Sequence, residues 1–246
     1  MNTNEPTSQD WPDAGIQAAI AFLGASSESS QPLSIIDVGG HQGETLNAFA
    51  RNLDEFSYIG FEPNPDCYEK LSDMAASLAS NHRQITTRNC AVGAENGQVQ
   101  FNVTRATAVA GILKPIQGLS ERVPMGDHEI AKVIECDVCT IDSLPEVADR
   151  SGMDLLKIDT EGFDLEVMKG AKNNLSNAYF GAVLSEVFFV PYREEQAFFW
   201  DLASFMQSVG YHFVNLYDCR NTGQGRLYTG NALWLSGPVA DKSGFL

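Results

Sequence analysis

The sequence predicts an α/β protein with a mostly parallel β-sheet and helices on both of its faces. The first supporting observation is the stretch 33–43, where a short apolar run leads directly into three glycines. A helix follows, with Leu46, Phe49 and Leu53 at the spacing of a core-facing stripe. The second observation is the stretch 154–171, where another apolar run ends in charged residues and a glycine before a helix begins. Strand, glycine turn and helix in this order are typical of nucleotide-binding α/β sheets.

The other elements follow from the same patterns, with period two for strands and period 3.6 for helices. We predict strands at 33–38, 56–61, 84–92, 98–103, 133–142, 155–158, 178–187, 211–217 and 231–236, the last two forming an antiparallel hairpin. We predict helices at 13–24, 46–53, 67–78, 144–150, after Gly162 and at 194–209.

The chain is expected to contain one large domain at 31–246, preceded by an N-terminal tail and helix at 1–30. The helix at 13–24 is expected to pack simply against the domain, although a role in covering a cofactor or docking a partner stays open. Residues 104–131 are irregular and rich in Gly, Pro and Met. A loop of this length inside a compact domain is usually functional, so we predict a lid or an acceptor-binding insertion.

Composition and charge exclude several classes of partner. The chain has 246 residues, 43% of them hydrophobic, and a formal net charge of −16. Phosphate binding needs basic patches, so nucleic acid and anionic membranes are not expected as partners. No apolar run approaches the ~20 residues of a membrane span, and the polar N-terminus lacks the pattern of a secretory signal. Five irregularly spaced cysteines favour reduced thiols and a cytoplasmic location.

The glycine turn after the first strand indicates which nucleotide is bound. A dinucleotide fingerprint needs G-x-G-x-x-G, but Val38 replaces its first glycine. Asp37 would place a negative charge close to the expected phosphates. A carboxylate at this position suits a ligand that carries a cation and no phosphate, and S-adenosylmethionine meets that requirement. A tight turn that binds no ligand is the alternative.

The second strand ends at an acid in the position expected for ribose binding. Glu62 lies 19 residues after Gly43, and Pro63 and Pro65 then turn the chain out of the sheet. An acid about 20 residues beyond the glycine turn can bind a ribose diol. Residues 89–92 would lie along the same edge of the sheet and flank an adenine.

Charged residues also end two later strands. Lys157, Asp159 and Glu161 alternate at the end of one strand, and Glu186 ends the next. They would lie in the crevice where α/β sheets bind ligands, and Asp159 and Glu186 are candidate general bases. The alternative is an ion pair, Lys157–Glu161 or Lys157–Asp159, that only holds the turn.

No metal site is predicted from the sequence. The C-x-x-C formed by Cys136 and Cys139 lacks a second pair, and the four histidines show no ligand spacing. Convergence of Asp137, Asp159 and Glu186 on a metal ion is an option that stays open.

Four motifs together resemble the FkbM family of S-adenosylmethionine-dependent methyltransferases. They are D-V-G-G-H-Q-G-E, F-E-P-N-P, N-C-A-V-G and L-L-K-I-D-T-E-G-F-D-L-E-V-M-K-G-A, and the resemblance covers roughly residues 33–236. It implies a Rossmann-like class I methyltransferase fold, with a seven-stranded sheet whose last strand is antiparallel. It also implies methyl transfer to oxygen, often a hydroxyl of a sugar or a secondary metabolite.

The resemblance assigns roles to individual residues. Asp37, Gly39 and Gly43 would bind the methionine moiety, and Lys157, Asp159 and Glu161 would line the methyl-transfer side. The implied cofactor site comprises Asp37, Gly39, Gly40, His41, Gly43, Glu62, Pro63, Asn64, Asn89, Cys90, Ala91 and Asp159. The role of His41 is open.

The expected partner is a small-molecule acceptor that carries a hydroxyl group, and an oligomer is possible. Candidate catalytic residues are Lys157, Asp159, Glu161 and Glu186. A nicotinamide-dependent oxidoreductase and a non-catalytic cofactor-binding scaffold are the alternative functions. The missing first glycine and the acid at Asp37 count against the former, and the charges near Asp159 count against the latter.

Overall fold

The computed structural model describes residues 13–26, 32–118, 127–222 and 225–245. Its strands are β1 Leu33–Val38, β2 Phe56–Phe61, β3 Arg83–Arg88, β4 Ala91–Val92, β5 Gly97–Thr104, β6 Ile130–Cys139, β7 Met153–Ile158, β8 Phe180–Phe188, β9 Tyr211–Asn221 and β10 Leu227–Ser236. Its helices are α1 Ala14–Ser26, α2 Glu44–Asn52, α3 Pro65–Leu78, α4 Pro145–Ala148, α5 Asp164–Gly170, α6 Lys172–Ser176, α7 Phe199–Ser208 and α8 Gly237–Lys242, with 3₁₀ turns at Thr107–Val109 and Ile141–Ser143.

Seven strands form the main sheet in the order β3-β2-β1-β7-β8-β10-β9. The pairs from β3 to β8 are parallel, whereas β10 runs antiparallel to both β8 and β9. The predicted fold class is therefore confirmed, including the antiparallel last strand, which is inserted between β8 and the edge strand β9. Chain order reverses between β1 and β7, and the carboxyl ends of these two strands define the crevice where such sheets bind ligands.

Each face of the sheet carries its own hydrophobic core. Alternate residues point to opposite faces, so Ile36 and Leu156 join the larger core while Ile35 and Leu155 join the other. Burial on both faces explains why these strands are continuous apolar runs. Helix α1 buries Ile16 and two other apolar residues in the second core, in agreement with the simple packing expected of it.

Two predicted elements are corrected. The strand expected at 84–92 is two strands in different sheets, because the chain bends at residues 89–90 between β3 and β4. Strand β4 pairs with β6, which also pairs with β5, giving a three-stranded second sheet. The helix expected at 194–209 begins only at Phe199. The backbone before it is held in a turn by Gln196, whose Oε1 accepts from the amides of Tyr192 and Arg193.

The predicted insertion 104–131 is irregular only in part, because residue 104 ends β5 and residues 130–131 begin β6 in the small sheet. Its residues 107–116 lie against the carboxyl edge of the main sheet. The amide of Ile116 donates to the carbonyl of Tyr192, and the amide of Glu194 donates to the carbonyl of Lys114. Residues 107–116 therefore form a cover that packs on the 190–196 loop. Residues 119–126 of the insertion, the predicted tail 1–12 and residues 27–31 lie outside the described residues. The functions proposed for the insertion and the domain boundary at residue 30 stay predictions.

Within the described ranges, no helix combines the length and apolar character required to cross a bilayer.

Candidate active site

The glycine turn between β1 and α2 uses all of its own backbone donors. The amides of Gly39 and Gly40 donate to the carbonyl of Phe61 at 2.9 Å each, and that of Gly43 donates to the carbonyl of Gly40. The amides of residues 41 and 42 donate to the carboxylates of Glu62 and Glu44. Every amide from 39 to 43 is therefore already paired, and a carboxylate occupies the N-terminus of α2, where a pyrophosphate would bind in a dinucleotide site.

Gly39 brings the turns after β1 and β7 into direct contact. Its φ is +86°, and a Cβ atom added to it would lie 1.9 Å from the carbonyl oxygen of Asp159. The amide of Asp159 in turn donates to the carbonyl of Val38 at 2.9 Å. Only glycine satisfies both the backbone conformation and the close approach.

Asp37 lies within a buried network below the glycine turn. Its side chain is fully buried, Tyr58 Oη donates to its Oδ2 at 2.6 Å, and Lys157 Nζ lies 3.6 Å from its Oδ1. Burial raises the pKa of Asp37, against the opposing effects of Lys157 and Tyr58. The expected contact between Asp37 and the methionine moiety stays a prediction, but its carboxylate has no open surface in this structure.

Tyr58 was not identified from the sequence, although the strand pattern contains a signal for it. Asp37 lies beside Gly60 in the β1–β2 register, and Tyr58 precedes Gly60 by two residues on the same face of β2. A Cβ atom on Gly60 would lie 2.6 Å from the Tyr58 ring. The glycine therefore gives Tyr58 the space to reach Asp37.

Glu62 is held at the end of β2 by two backbone amides. Its Oε2 accepts from the amide of His41 at 2.9 Å and its Oε1 from the amide of Asn64 at 2.8 Å, and the residue is 5% exposed. Burial raises the pKa of Glu62 to about 7, although both amides oppose the shift. We call the predicted cofactor-binding residues Glu62, Pro63, Asn64, Asn89, Cys90 and Ala91 the rim of the crevice. Asn89 Nδ2 donates to the carbonyls of Glu62 and Pro63, so the structure brings these three residues together.

The other predicted rim residues have defined structural partners. Asn64 caps α3 through its Oδ1, which accepts from the amide of Asp66, and is almost fully buried. Cys90 packs against Cys139, and Ala91 is buried in β4. A cavity of about 360 Å³ opens beside this rim and is lined by Pro63, Pro65, Asn89, Gln98, Ile134, Glu135, Cys136 and Asp137.

His41 connects the glycine turn to the cover. It has a φ of +46°, its Nδ1 lies 3.2 Å from the carboxylate of Glu44, and its Nε2 lies 3.0 Å from Thr107 Oγ1. Burial opposes protonation of His41, but hydrogen bonds to Cys67 and Glu44 outweigh it and raise its pKa to about 10. Thr107 had no sequence signal, because it belongs to a loop whose position is set by tertiary packing.

Three of the four predicted catalytic residues form one acidic group. Carboxylate oxygens of Asp159, Glu161 and Glu186 lie within 4.8 Å of one another. Asp137, which was considered with Asp159 and Glu186, belongs instead to the small sheet, where it accepts from Gln98. The three acids that lie close enough to share a metal ion are therefore Asp159, Glu161 and Glu186, and Glu161 takes the place expected for Asp137.

Each member of the acidic group contacts a polar or charged side chain of the protein. Lys157 Nζ lies 3.1 Å from Asp159 Oδ2, which confirms one of the two ion pairs considered from the sequence. Glu161 pairs instead with Arg193, at 2.9 Å, and Glu186 accepts from Thr229 Oγ1 at 3.1 Å. Arg193 had no signal in the sequence, because it lies in an irregular loop far along the chain.

Lys157 and the acids near it differ in the charge state that their surroundings favour and in their exposure to solvent. Burial lowers the pKa of Lys157, but Asp159 and Asp37 outweigh it and raise the pKa, so this side chain stays an ammonium. Burial raises the pKa values of Glu161 and Glu186. The Asp159 side chain is 38% exposed, compared with 13% for Glu161 and 7% for Lys157. Among these three, Asp159 is the group open to a ligand.

The cover reaches the acidic group through Arg193. This guanidinium donates to the carbonyl of Val109 as well as to Glu161, and its residue is 2% exposed. Gly111 lies so close that an added Cβ would be 3.3 Å from the Cβ of Glu161. Residues 109–111 therefore lie directly beside the acidic group.

Comparison with known proteins identifies the domain family and the fold of the chain. The model of the methyltransferase FkbM domain matches residues 37–213, which include both the glycine turn and the acidic group. No curated protein matches the sequence of the chain.

Solved structures with a similar fold include two methyltransferases. A methyltransferase FkbM from Methylobacillus flagellatus KT is 18% identical, with a TM-score of 0.52 over 83% of this chain and 43% of that one. The chain thus spans less than half the length of that protein. Magnesium protoporphyrin IX methyltransferase (ChlM) from Synechocystis PCC 6803, solved with bound SAM, is 11% identical, with a TM-score of 0.50 over 96% of this chain and 87% of that one. At these identities the two likenesses show the fold alone, whereas the domain match covers most of the chain. The chain therefore belongs to the FkbM methyltransferase domain family.

Proposed function

We propose that the chain transfers a methyl group from S-adenosylmethionine to a hydroxyl oxygen of a small acceptor, such as a sugar or a secondary metabolite. The observation that carries the proposal is the complete pairing of the amides at 39–43, with Glu44 at the N-terminus of α2. Pyrophosphate binding depends on free amides at that position, so the site favours a nucleoside without phosphates.

The acids around the crevice favour a cationic ligand. Asp37, Asp159, Glu161 and Glu186 outnumber the two cations paired with them, Lys157 and Arg193. An opposite charge nearby stabilises carboxylates that burial would otherwise neutralise. A ligand that carries a sulfonium and an ammonium group supplies such a charge.

The rim offers contacts for the nucleoside. Each Glu62 oxygen accepts one backbone amide and keeps a further lone pair, which can accept from a ribose hydroxyl. Asn89 fixes the adjacent backbone through its bonds to the carbonyls of Glu62 and Pro63. The cavity of about 360 Å³ beside Pro63 and Asn89 has space for an adenine ring.

Asp159 is the residue we assign to proton removal from the acceptor. When bound, S-adenosylmethionine supplies an electrophilic methyl group on a good leaving group. The chain has to orient the acceptor hydroxyl and take its proton, which is the role of a general base. Asp159 is the exposed member of the group, and Lys157 keeps its carboxylate oriented through Oδ2. Glu186, whose burial raises its pKa, is the second candidate.

Calorimetry with S-adenosylhomocysteine and with NAD on the full chain tests the cofactor assignment. We expect heat of binding with the first ligand and none with the second. Glu62→Gln should weaken S-adenosylhomocysteine binding by roughly 10- to 100-fold, because one oxygen acceptor is lost. Glu69→Gln, on the exposed face of α3, is the matched control. Binding of NAD alone would favour the oxidoreductase alternative and refute the proposal.

A methyl-transfer assay with a panel of sugar and natural-product hydroxyls tests the catalytic step. Asp159→Asn keeps the side-chain shape but removes the base, so we expect turnover to fall by roughly 100-fold or more while S-adenosylhomocysteine affinity is retained. Asp149→Asn, at an exposed position after α4, is the control. Unchanged turnover in Asp159→Asn would remove Asp159 from the mechanism, and absence of transfer to any acceptor would favour the scaffold alternative.

A further inference from the structure

Cys90 belongs to the rim of the crevice, Cys136 and Cys139 lie close to it, and the methyl-transfer step proposed above uses none of the three thiols. Cys90 lies in the bend between β3 and β4, and Cys136 and Cys139 lie on β6. The Sγ atoms of Cys90 and Cys139 are 3.8 Å apart, within hydrogen-bond distance for sulfur. Both residues are partly exposed, although each also packs against the larger hydrophobic core.

We propose that Cys90 and Cys139 form a modification site that reacts with hydroperoxides and closes to a disulfide. In the first step the Cys90 thiolate attacks the O–O bond, giving a sulfenic acid and releasing the alcohol, or water from hydrogen peroxide. In the second step Cys139 attacks that sulfur, a water molecule leaves, and the S–S bond forms. The two thiols lose two electrons and two protons, and the hydroperoxide is reduced.

The surroundings of the pair distinguish the attacking thiol from the resolving thiol. The hydrogen bond between the two thiols lowers the pKa of Cys90, with a further contribution from Arg88 and against the effect of burial. The same contact, together with burial, raises the pKa of Cys139, whose thiol also lies 3.7 Å from the carbonyl oxygen of Ala91. Because a thiolate is the nucleophile, Cys90 reacts first.

Cys136 is a poorer candidate although it is nearby. Burial raises its pKa to about 11, so little of it is thiolate at neutral pH. It cannot pair with Cys139 within one strand, because residues three apart in an extended strand are separated by about 10 Å and point to opposite faces. Cys67 is buried in α3, and Cys219 lies on β9.

Closing the disulfide would move the rim of the crevice. A disulfide bond is about 2.05 Å long, so the sulfur atoms must approach by roughly 1.8 Å. Cys90 follows Asn89 directly, and Asn89 Nδ2 donates to the carbonyls of Glu62, at 2.8 Å, and Pro63, at 3.2 Å. A shift of the bend therefore disturbs the backbone around Glu62. This effect on cofactor affinity rests on the proposed function, whereas the thiol chemistry does not.

The test treats the reduced full chain with a small excess of hydrogen peroxide, followed by intact mass measurement and non-reducing peptide mapping. We expect a mass loss of two hydrogens, a cross-link between the peptides that contain Cys90 and Cys139, and reversal by dithiothreitol. Cys90→Ser and Cys139→Ser should not form the intramolecular disulfide, whereas Cys136→Ser and Cys219→Ser should form it as the parent does. Peptide mapping of the parent locates the bond even if a variant fails to fold.

Three results would overturn the proposal. They are a cross-link that involves Cys136, a disulfide that persists in Cys90→Ser, and oxidation of the parent by added oxygen atoms alone. Calorimetry then compares S-adenosylhomocysteine binding to the reduced and oxidised parent, and we expect at least tenfold weaker binding after oxidation. Equal affinity would refute the link to the crevice. No binding by the reduced parent would refute the cofactor assignment while leaving the disulfide result intact.

Discussion

Replacing Asp164 with asparagine should change how the stability of the protein depends on pH. Asp164 begins α5, is 1% exposed, and accepts a hydrogen bond from Thr160 Oγ1 at 3.0 Å through Oδ2. Its Oδ1 is buried without a hydrogen-bond partner among the described residues. Burial, with a further contribution from the charge of Asp159, raises its pKa from 3.8 to about 7. Ionised Asp164 is therefore less favourable in the folded chain than in the unfolded chain.

The sign and size of the effect follow from linkage between proton binding and folding. Because the folded pKa is the higher one, the favourable contribution of Asp164 is fully present below pH 3.8 and is lost as the pH rises through about 7. Between pH 5 and pH 8 this loss amounts to about 2 to 3 kcal/mol of the free energy of unfolding. The asparagine side chain does not titrate, so the variant does not lose this stability. The free energy of unfolding of Asp164→Asn relative to that of the parent should therefore rise by this amount between pH 5 and pH 8. If the buried asparagine amide lacks a hydrogen-bond partner, it lowers the free energy of unfolding of the variant by the same amount at every pH.

Urea unfolding followed by tryptophan fluorescence at several pH values between 5 and 8 measures the difference. Other buried acids, such as Glu62, titrate in both proteins and cancel in the comparison. Asp73→Asn, at an exposed position of α3, removes a carboxylate of the same kind from the surface and is the control. A difference in stability between Asp164→Asn and the parent that is equal at pH 5 and pH 8 would refute the reasoning.

Two further predictions concern the network around the glycine turn. Gly39→Ala forces a Cβ to within 1.9 Å of the Asp159 carbonyl at a φ of +86°, so we expect a lower melting temperature and loss of S-adenosylhomocysteine binding. Gly97→Ala, with open space around the added carbon, is the control, and equal behaviour of the two variants would contradict the close contact. Tyr58→Phe removes the donor 2.6 Å from buried Asp37, so we expect roughly 1 to 3 kcal/mol lower stability in urea unfolding. A stability equal to that of the parent would show that the bond contributes nothing.

Strands that are buried on both faces could be predicted closely from the sequence. β1 and β2 have the predicted bounds, because each is an apolar run that ends at a charged residue or a glycine. The break between β3 and β4 was missed, since the bend at residues 89–90 contains neither glycine nor proline. The true start of α7 was also missed, because a side chain from within the predicted helix, Gln196, holds the preceding backbone in a turn.

The candidate site shows the same division between local and long-range information. Lys157, Asp159 and Glu161 could be predicted, because all three lie at the end of one strand, where a pattern in the sequence is sufficient. Arg193 could not, since its contact with Glu161 spans 32 residues and depends on the packing of an irregular loop. The same is true of Thr107, which meets His41 only because the cover folds over the glycine turn.

Strand order, and not local sequence, brings Asp37 and Lys157 together in the candidate site. Asp37 and Lys157 are 120 residues apart, but they are direct neighbours in the β1–β7 register. The ammonium of Lys157 lies 3.6 Å from the buried acid and 3.1 Å from Asp159, so one cation serves both. Asp37 therefore helps to hold the Lys157 ammonium in position beside Asp159, and the hydrogen bond from Tyr58 holds Asp37. A fully buried acid that has no surface for a ligand can in this way orient the exposed carboxylate to which we assign proton removal.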